Sequence, residues 1–130
     1  MDMVSRDRRK QRGFKRLIKS FLYAFDGLVY AFKYEQNLII HTLATIIVIT
    51  AGFYFKISYT EWLILILIIG LVIATELINT SIEATIDLIT DEYHPLAKVA
   101  KDTAAAAVFI FAFVAVIVGI MIFMPKILGM

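Results

Sequence analysis

The sequence predicts an all-α integral membrane protein, in which an N-terminal interfacial amphipathic helix precedes three transmembrane helices. Three observations carry that prediction. Of the 130 residues, 61% are hydrophobic and the mean hydropathy is +0.83, far above the roughly 45–50% apolar content of a soluble domain. The apolar residues gather into three runs long enough to cross ~30 Å of hydrocarbon. Eight of the 13 Lys and Arg residues come before residue 20, at Arg6, Arg8, Arg9, Lys10, Arg12, Lys15, Arg16 and Lys19. The length suits a single membrane domain, 1–130. The chain contains no cysteine, which excludes a disulfide framework and any Cys-based metal site. Its basic start leads into an amphipathic stretch and not into an apolar h-region, so no cleaved signal peptide is expected.

Residues 1–12 are polar and basic and are expected to form a flexible tail. The interfacial helix is expected over 13–34. Its apolar residues Phe14, Leu17, Ile18, Phe21, Leu22, Phe25, Leu28, Val29 and Phe32 fall on one stripe at 100° per residue. Lys15, Arg16, Lys19 and Ser20 fall opposite, where the cations meet anionic head groups. The first span is expected over 38–55; His41 near its start reads as an interfacial hydrogen-bonder and not as a ligand. Residues 56–61 form a short turn. The second helix is expected over 62–89, opening at Trp62, an interfacial anchor. Residues 90–101 connect it to a third helix over 96–124, with Pro95 suited to a first helical turn and Pro125 and Lys126 closing it. Ala97, Ala100, Ala104 and Ala107 make a small-residue face for close helix approach. The N-terminal cations predict a cytoplasmic N-terminus, a cytoplasmic 90–101 loop and an external C-terminus.

The chemistry lies in the second helix. Glu76, Asn79, Glu83 and Asp87 are spaced +3, +7 and +11 and lie within an arc of about 80° on a helix. Their neighbours Leu77, Ile78, Ile82, Ala84, Ile86 and Leu88 are apolar, so one wall of a membrane helix is acidic. A carboxylate in a membrane costs at least ~2.5 kcal/mol at the helix centre and marks function by default. Counted from Trp62, Glu76 lies ~21 Å along the axis and Glu83 ~31 Å. Glu76 therefore sits just inside the cytoplasmic leaflet, where a lipid hydroxyl can reach it. Glu83 sits at the boundary, open to a hydrated cation and a nucleotide. Lys101 and Asp102 begin the third helix on the same side. A lysine beside a metal-ready acidic wall suits phosphoryl transfer, which must neutralise phosphate charge and position a hydroxyl. The helix start near Pro95 adds backbone donors for phosphate. There is no Gly-rich phosphate loop, Ser-His-Asp arrangement or zinc spacing.

The run Glu76-Leu-Ile-Asn79-Thr-Ser-Ile-Glu83 with Asp87 resembles the signature of the prokaryotic diacylglycerol kinase family. The block Glu92-Tyr-His-Pro-Leu-Ala-Lys-Val-Ala-Lys101-Asp102 resembles a second block of that family, and Ala31-Phe-Lys-Tyr-Glu35 its stretch before the membrane. The resemblance covers about residues 13–124. It implies a homotrimer with sites between subunits that phosphorylates a lipid alcohol with MgATP, without nucleic acid, in the plasma membrane. It implies Glu76 as catalytic base, Asn79 as an orienting group, and Lys101 as a catalytic and phosphate-contacting residue. Asp102 and Asp87 would support the polar network, with Glu92 and His94 on the nucleotide side and Arg16 near lipid and nucleotide. Glu83 would hold both the metal and the nucleotide. A further acidic metal ligand is read as replaced by Val29, which leaves Glu35 or Asp26 to compensate, or the metal to rely on Glu83 and ATP oxygens; Glu83 and Glu35 are taken as the candidate metal ligands. The Tyr93-His-Pro-Leu-Ala-Lys98 loop looks like the Gram-positive branch, whose members resemble undecaprenol kinases. That favours undecaprenol as acceptor over diacylglycerol. A small ion-coupled transporter is the rival of another class. It would want a charge near the midplane, whereas here the outer half of the second span is wholly apolar.

Overall fold

The computed structural model describes residues 13–130; the basic tail expected over 1–12 lies outside the described residues. Four helices follow in order: α1, Phe14–Tyr34; α2, Gln36–Tyr54; α3, Tyr59–Ile89; and α4, Pro95–Ile127. The all-α class read from the sequence is the class observed. The chain divides into two compact units, one ending at Tyr34 and the other running from Glu35 to Met130.

In the first unit, α1 presents the apolar stripe read from the sequence, with Phe14, Leu17, Phe21, Leu22 and Phe25 all exposed. On the polar side the Ser20 hydroxyl donates to the Arg16 carbonyl. Near its C-terminal end the Tyr30 and Tyr34 rings approach to 4.8 Å.

In the second unit, all three helices are long and apolar enough to cross a membrane. Helix α3 packs extensively on α4 and more lightly on α2, so it stands between them. At the Trp62 end a small core forms from Ile57, Leu65, Ile68 and Ile122, with Trp62, Phe55 and Phe123 against it. Lys126 Nζ donates to Glu61 Oε1 at 3.0 Å and ties the end of α4 to the start of α3.

Helix α2 starts at Gln36, two residues ahead of the expected span, and two other helix ends depart by three residues, each for a local reason. α3 starts at Tyr59, ahead of the anchor Trp62, because Ser58 and Glu61 form a capping box: the Ser58 side chain accepts from the Glu61 N–H, and the Glu61 carboxylate accepts from the Ser58 N–H. α4 continues through Pro125 to Ile127. Proline removes its amide donor and crowds the carbonyl four residues back, but it stands in the last turn, where the Leu128 N–H still reaches the Met124 carbonyl.

The turn between α2 and α3 is a Schellman motif without glycine. Lys56 holds a left-handed φ of 50°, while the Ile57 N–H bonds the Gly52 carbonyl and the Lys56 N–H bonds the Phe53 carbonyl. Glycine is needed one turn earlier. A Cβ at Gly52 would stand 2.6 Å from Trp62 Cη2 and 3.2 Å from Ile57 Cδ1. Gly52→Ala is therefore expected to destabilise the fold by about 1–3 kcal/mol, read as a lower thermal midpoint of the detergent-solubilised protein. An unchanged midpoint would mean that Trp62 is not fixed against α2.

Candidate active site

Helix α3 has 31 residues, about 46 Å at 1.5 Å per residue, well beyond a ~30 Å hydrocarbon layer. Its Trp62 half is apolar and its far half carries the acidic wall. The wall has three levels.

The deepest is Glu76. The residue is 1% exposed, and apart from the nearby Asn37 amide neither carboxylate oxygen has a hydrogen-bond partner. It lines a cavity of about 280 Å³ between α2 and α4. Asn37 and His41 of α2 line the same cavity, as do Asn79 of α3 and Ala105, Val108, Phe109 and Ala112 of α4. His41 Nε2 approaches Glu76 Oε2 at 3.7 Å, an ion-pair distance too long for a hydrogen bond. The Thr80 hydroxyl donates to the Glu76 carbonyl and so needs nothing from the cavity.

The middle level joins Asn79, Glu83 and Glu35. Asn79 Nδ2 donates to Glu83 Oε1 at 3.3 Å, while Asn79 Oδ1 is buried without a partner. Glu35 is the N-cap of α2, and its side chain makes no capping hydrogen bond. Burial, and then the charge of Glu83, push the Glu35 carboxyl above its ordinary range. The two carboxylates are thus close enough for the charge of Glu83 to act on Glu35. Among the described residues no group of three or more His, Cys, Asp or Glu side chains is arranged to hold a metal. Two carboxylates are nonetheless what Mg²⁺ uses when substrate phosphates complete its shell, so the pair fits that ion. Of the candidates for the further acidic ligand, Glu35 is the one beside Glu83; Asp26 and Val29 lie on α1 in the first unit.

The shallowest level is a second cavity of about 370 Å³, where α3 ends and α4 begins. Asp87, Glu92, His94, Lys101 and Asp102 all line it. Lys101 Nζ bonds Asp87 Oδ1 at 2.5 Å and bridges the two helices; Lys98 pairs with Asp102 one turn along α4. His94 also serves the fold as the N-cap of α4. Its Nδ1 accepts from the Leu96 N–H at 3.1 Å, with Pro95 in the first turn.

The predicted residues therefore divide. Glu76 and Asn79 share the deep cavity; Asp87, Glu92, His94, Lys101 and Asp102 share the shallow one; Glu83 hydrogen-bonds Asn79 and faces Glu35. Arg16 lies near the start of α1, in the first unit. His41 was read from the sequence as an interfacial group and stands instead beside Glu76. No local signal pairs two residues 35 positions apart on different helices.

A family model described as prokaryotic diacylglycerol kinase matches residues 22–123. The chain belongs to the prokaryotic diacylglycerol kinase family. It is 45% identical over 124 residues to an undecaprenol kinase of Bacillus subtilis, an alignment spanning 95% of this chain and 99% of that protein. A diacylglycerol kinase of Synechocystis is 42% identical over 115 residues, 88% of this chain and 66% of that one. The diacylglycerol kinase of Escherichia coli K12 is 35% identical over 105 residues, covering 81% and 86%. The chain is a lipid kinase of this family, with ATP as phosphate donor.

The upward push on the Glu35 carboxyl, from burial first and from Glu83 second, has a measurable sign. Because the folded state holds the Glu35 carboxyl above its ordinary range, its contribution to stability is present below the unfolded value and lost as pH rises through the folded one. Glu35→Gln is expected to raise the thermal midpoint at neutral pH in EDTA, and to leave it unchanged below about pH 4, where glutamate is protonated in either state. A lower midpoint at neutral pH would contradict this upward push on Glu35.

Proposed function

We propose that this chain transfers the γ-phosphate of MgATP to the hydroxyl of undecaprenol, giving undecaprenyl phosphate. The observation that carries the reading is the depth ordering of the site: a buried carboxylate at Glu76 below a polar cavity that holds Lys101. A lipid alcohol arrives through the bilayer and a triphosphate arrives from water, and the two ends of this wall suit the two reactants. The choice of undecaprenol rests on the name and near-complete coverage of the Bacillus subtilis relative.

In the proposed reaction the lipid hydroxyl reaches the Glu76 cavity from the membrane. Glu76 accepts the hydroxyl proton as the oxygen attacks the γ-phosphorus. The new O–P bond forms as the bond from the γ-phosphorus to the β,γ-bridging oxygen breaks, and ADP leaves. Asn79, through the free Oδ1, orients the attacking group. Lys101 exchanges its Asp87 partner for a phosphate oxygen and stabilises charge on the transferring group. Asp87, Glu92, His94 and Asp102 shape the nucleotide side, and Arg16 serves lipid and nucleotide from the interfacial helix. Glu35 and Glu83 would hold Mg²⁺ together with triphosphate oxygens, and the ion would offset phosphate charge. We further propose a homotrimer in the plasma membrane, with sites between subunits and the N-terminus and the 90–101 loop cytoplasmic.

The test is transfer from γ-labelled ATP to undecaprenol and to diacylglycerol in mixed micelles with Mg²⁺. The expected result is preferential labelling of undecaprenol. Preference for diacylglycerol would keep the lipid kinase and overturn the acceptor. Glu76→Gln should lower kcat by about 10²–10⁴-fold, the usual worth of a general base, with assembly intact. Lys101→Ala should raise KM for ATP as well as lower kcat. Full turnover by Glu76→Gln would remove the proposed base.

A further inference from the structure

The Glu76 carboxylate sits where ionisation is hard to sustain. Its side chain is 2% exposed, and apart from the nearby Asn37 amide its oxygens have no hydrogen-bond donor. Removing a carboxylate from water costs several kcal/mol unless an opposite charge stands close. The α4 wall of the cavity offers only Ala105, Val108, Phe109 and Ala112. Helix α3 offers the amide of Asn79, and α2 the amide of Asn37. The other charged groups that act on Glu76 are Glu35 and Glu83, and both are acidic. Within the Glu35–Met130 unit, the one side chain lining this cavity that can carry positive charge is His41. Its Nε2 lies 3.7 Å from Glu76 Oε2, and its side chain is 22% exposed, so its proton can exchange with water.

We infer that His41 is a positioning residue that stands beside Glu76 as an imidazolium and keeps the carboxylate ionised and ready to accept the lipid hydroxyl proton. A lysine would carry a permanent charge into an apolar cavity. An opposite charge at this range favours the ionised carboxylate. When Glu76 takes the lipid proton its charge vanishes, and the pair is left with one positive charge. The proton then passes from Glu76 to water once product departs, and the pair is restored. The inference rests on Glu76 being the base proposed above.

The experiment measures kcat and KM for ATP against pH for four proteins: wild type, His41→Ala, His41→Gln and Glu76→Gln. His41→Gln keeps a polar side chain of similar reach and guards against a packing defect. Both His41 variants are expected to lose about tenfold or more in kcat at neutral pH, with KM for ATP unchanged. Their acidic limb should move to higher pH by about one to three units, the worth of an opposite charge at this distance, and their rates should approach wild type at alkaline pH. A loss of equal size at every pH, or an acidic limb that coincides with wild type, would overturn the role given to His41. In either of those cases an inactive Glu76→Gln would leave the base assignment standing. An active Glu76→Gln would defeat the base reading, and this inference with it.

Discussion

The rest of the structure depends on one costly placement, the Glu76 carboxylate buried among apolar helices. Every level of the wall can be understood from it. Just below the polar layer, a carboxylate is shielded from bulk water and open to a lipid that diffuses sideways. One level up, Glu83 and Glu35 are still only partly exposed, and their charges oppose each other. At the surface, Asp87 and Lys101 form an exposed ion pair that is worth little to stability and is cheap to open. Stability falls mainly to the other end of the bundle, where Ile57, Leu65, Ile68 and Ile122 close the core and the Glu61–Lys126 pair fastens the helix ends. Buried apolar residues such as Leu38, Val72 and Val108 also flank the wall, so packing continues beside the chemistry.

Helix length turns the levels of the wall into depth. Hydrocarbon accounts for about 20 residues of a spanning helix, and α3 and α4 have 31 and 33. The surplus carries the end of α3 and the start of α4 out of the apolar layer. That is why the shallow cavity is lined by loop and helix-end residues such as Glu92 and His94. In the proposed reaction a phosphate donor and a lipid acceptor need not share a solvent; each would meet the wall in its own layer.

Much of this was legible in the sequence, because the relevant information was periodic. Three apolar runs and one amphipathic stripe gave the fold. The +3, +7, +11 spacing put Glu76, Asn79, Glu83 and Asp87 on one face, and the Asn79–Glu83 hydrogen bond is the +4 step of that face. Contacts between helices were not legible. His41 is a single polar residue in an apolar run, and its partner Glu76 lies on the next helix. Glu35 is a lone acid whose proximity to Glu83 depends on how α2 packs on α3. Helix ends were legible in part. Ser58-Tyr-Thr-Glu61 has the spacing of a capping box, a signal that places the helix start ahead of the aromatic anchor at Trp62. The left-handed Lys56 gave no warning, since such positions favour glycine. His94 is an unusual N-cap, and its helix-capping role is visible only from the Leu96 amide.

The central claim is that lipid and nucleotide occupy different levels of one wall. The most direct test is photo-crosslinking with two probes: a polyprenyl alcohol bearing a diazirine next to its hydroxyl end, and an azido-adenine nucleotide, each mapped by mass spectrometry. The account predicts that the lipid probe marks residues around Glu76, such as Ile40, Val108 and Phe109, and that the nucleotide probe marks the stretch from Thr90 to Asp102. Capture of the nucleotide probe in the Glu76 cavity, or of the lipid probe along the 90–102 segment, would contradict it.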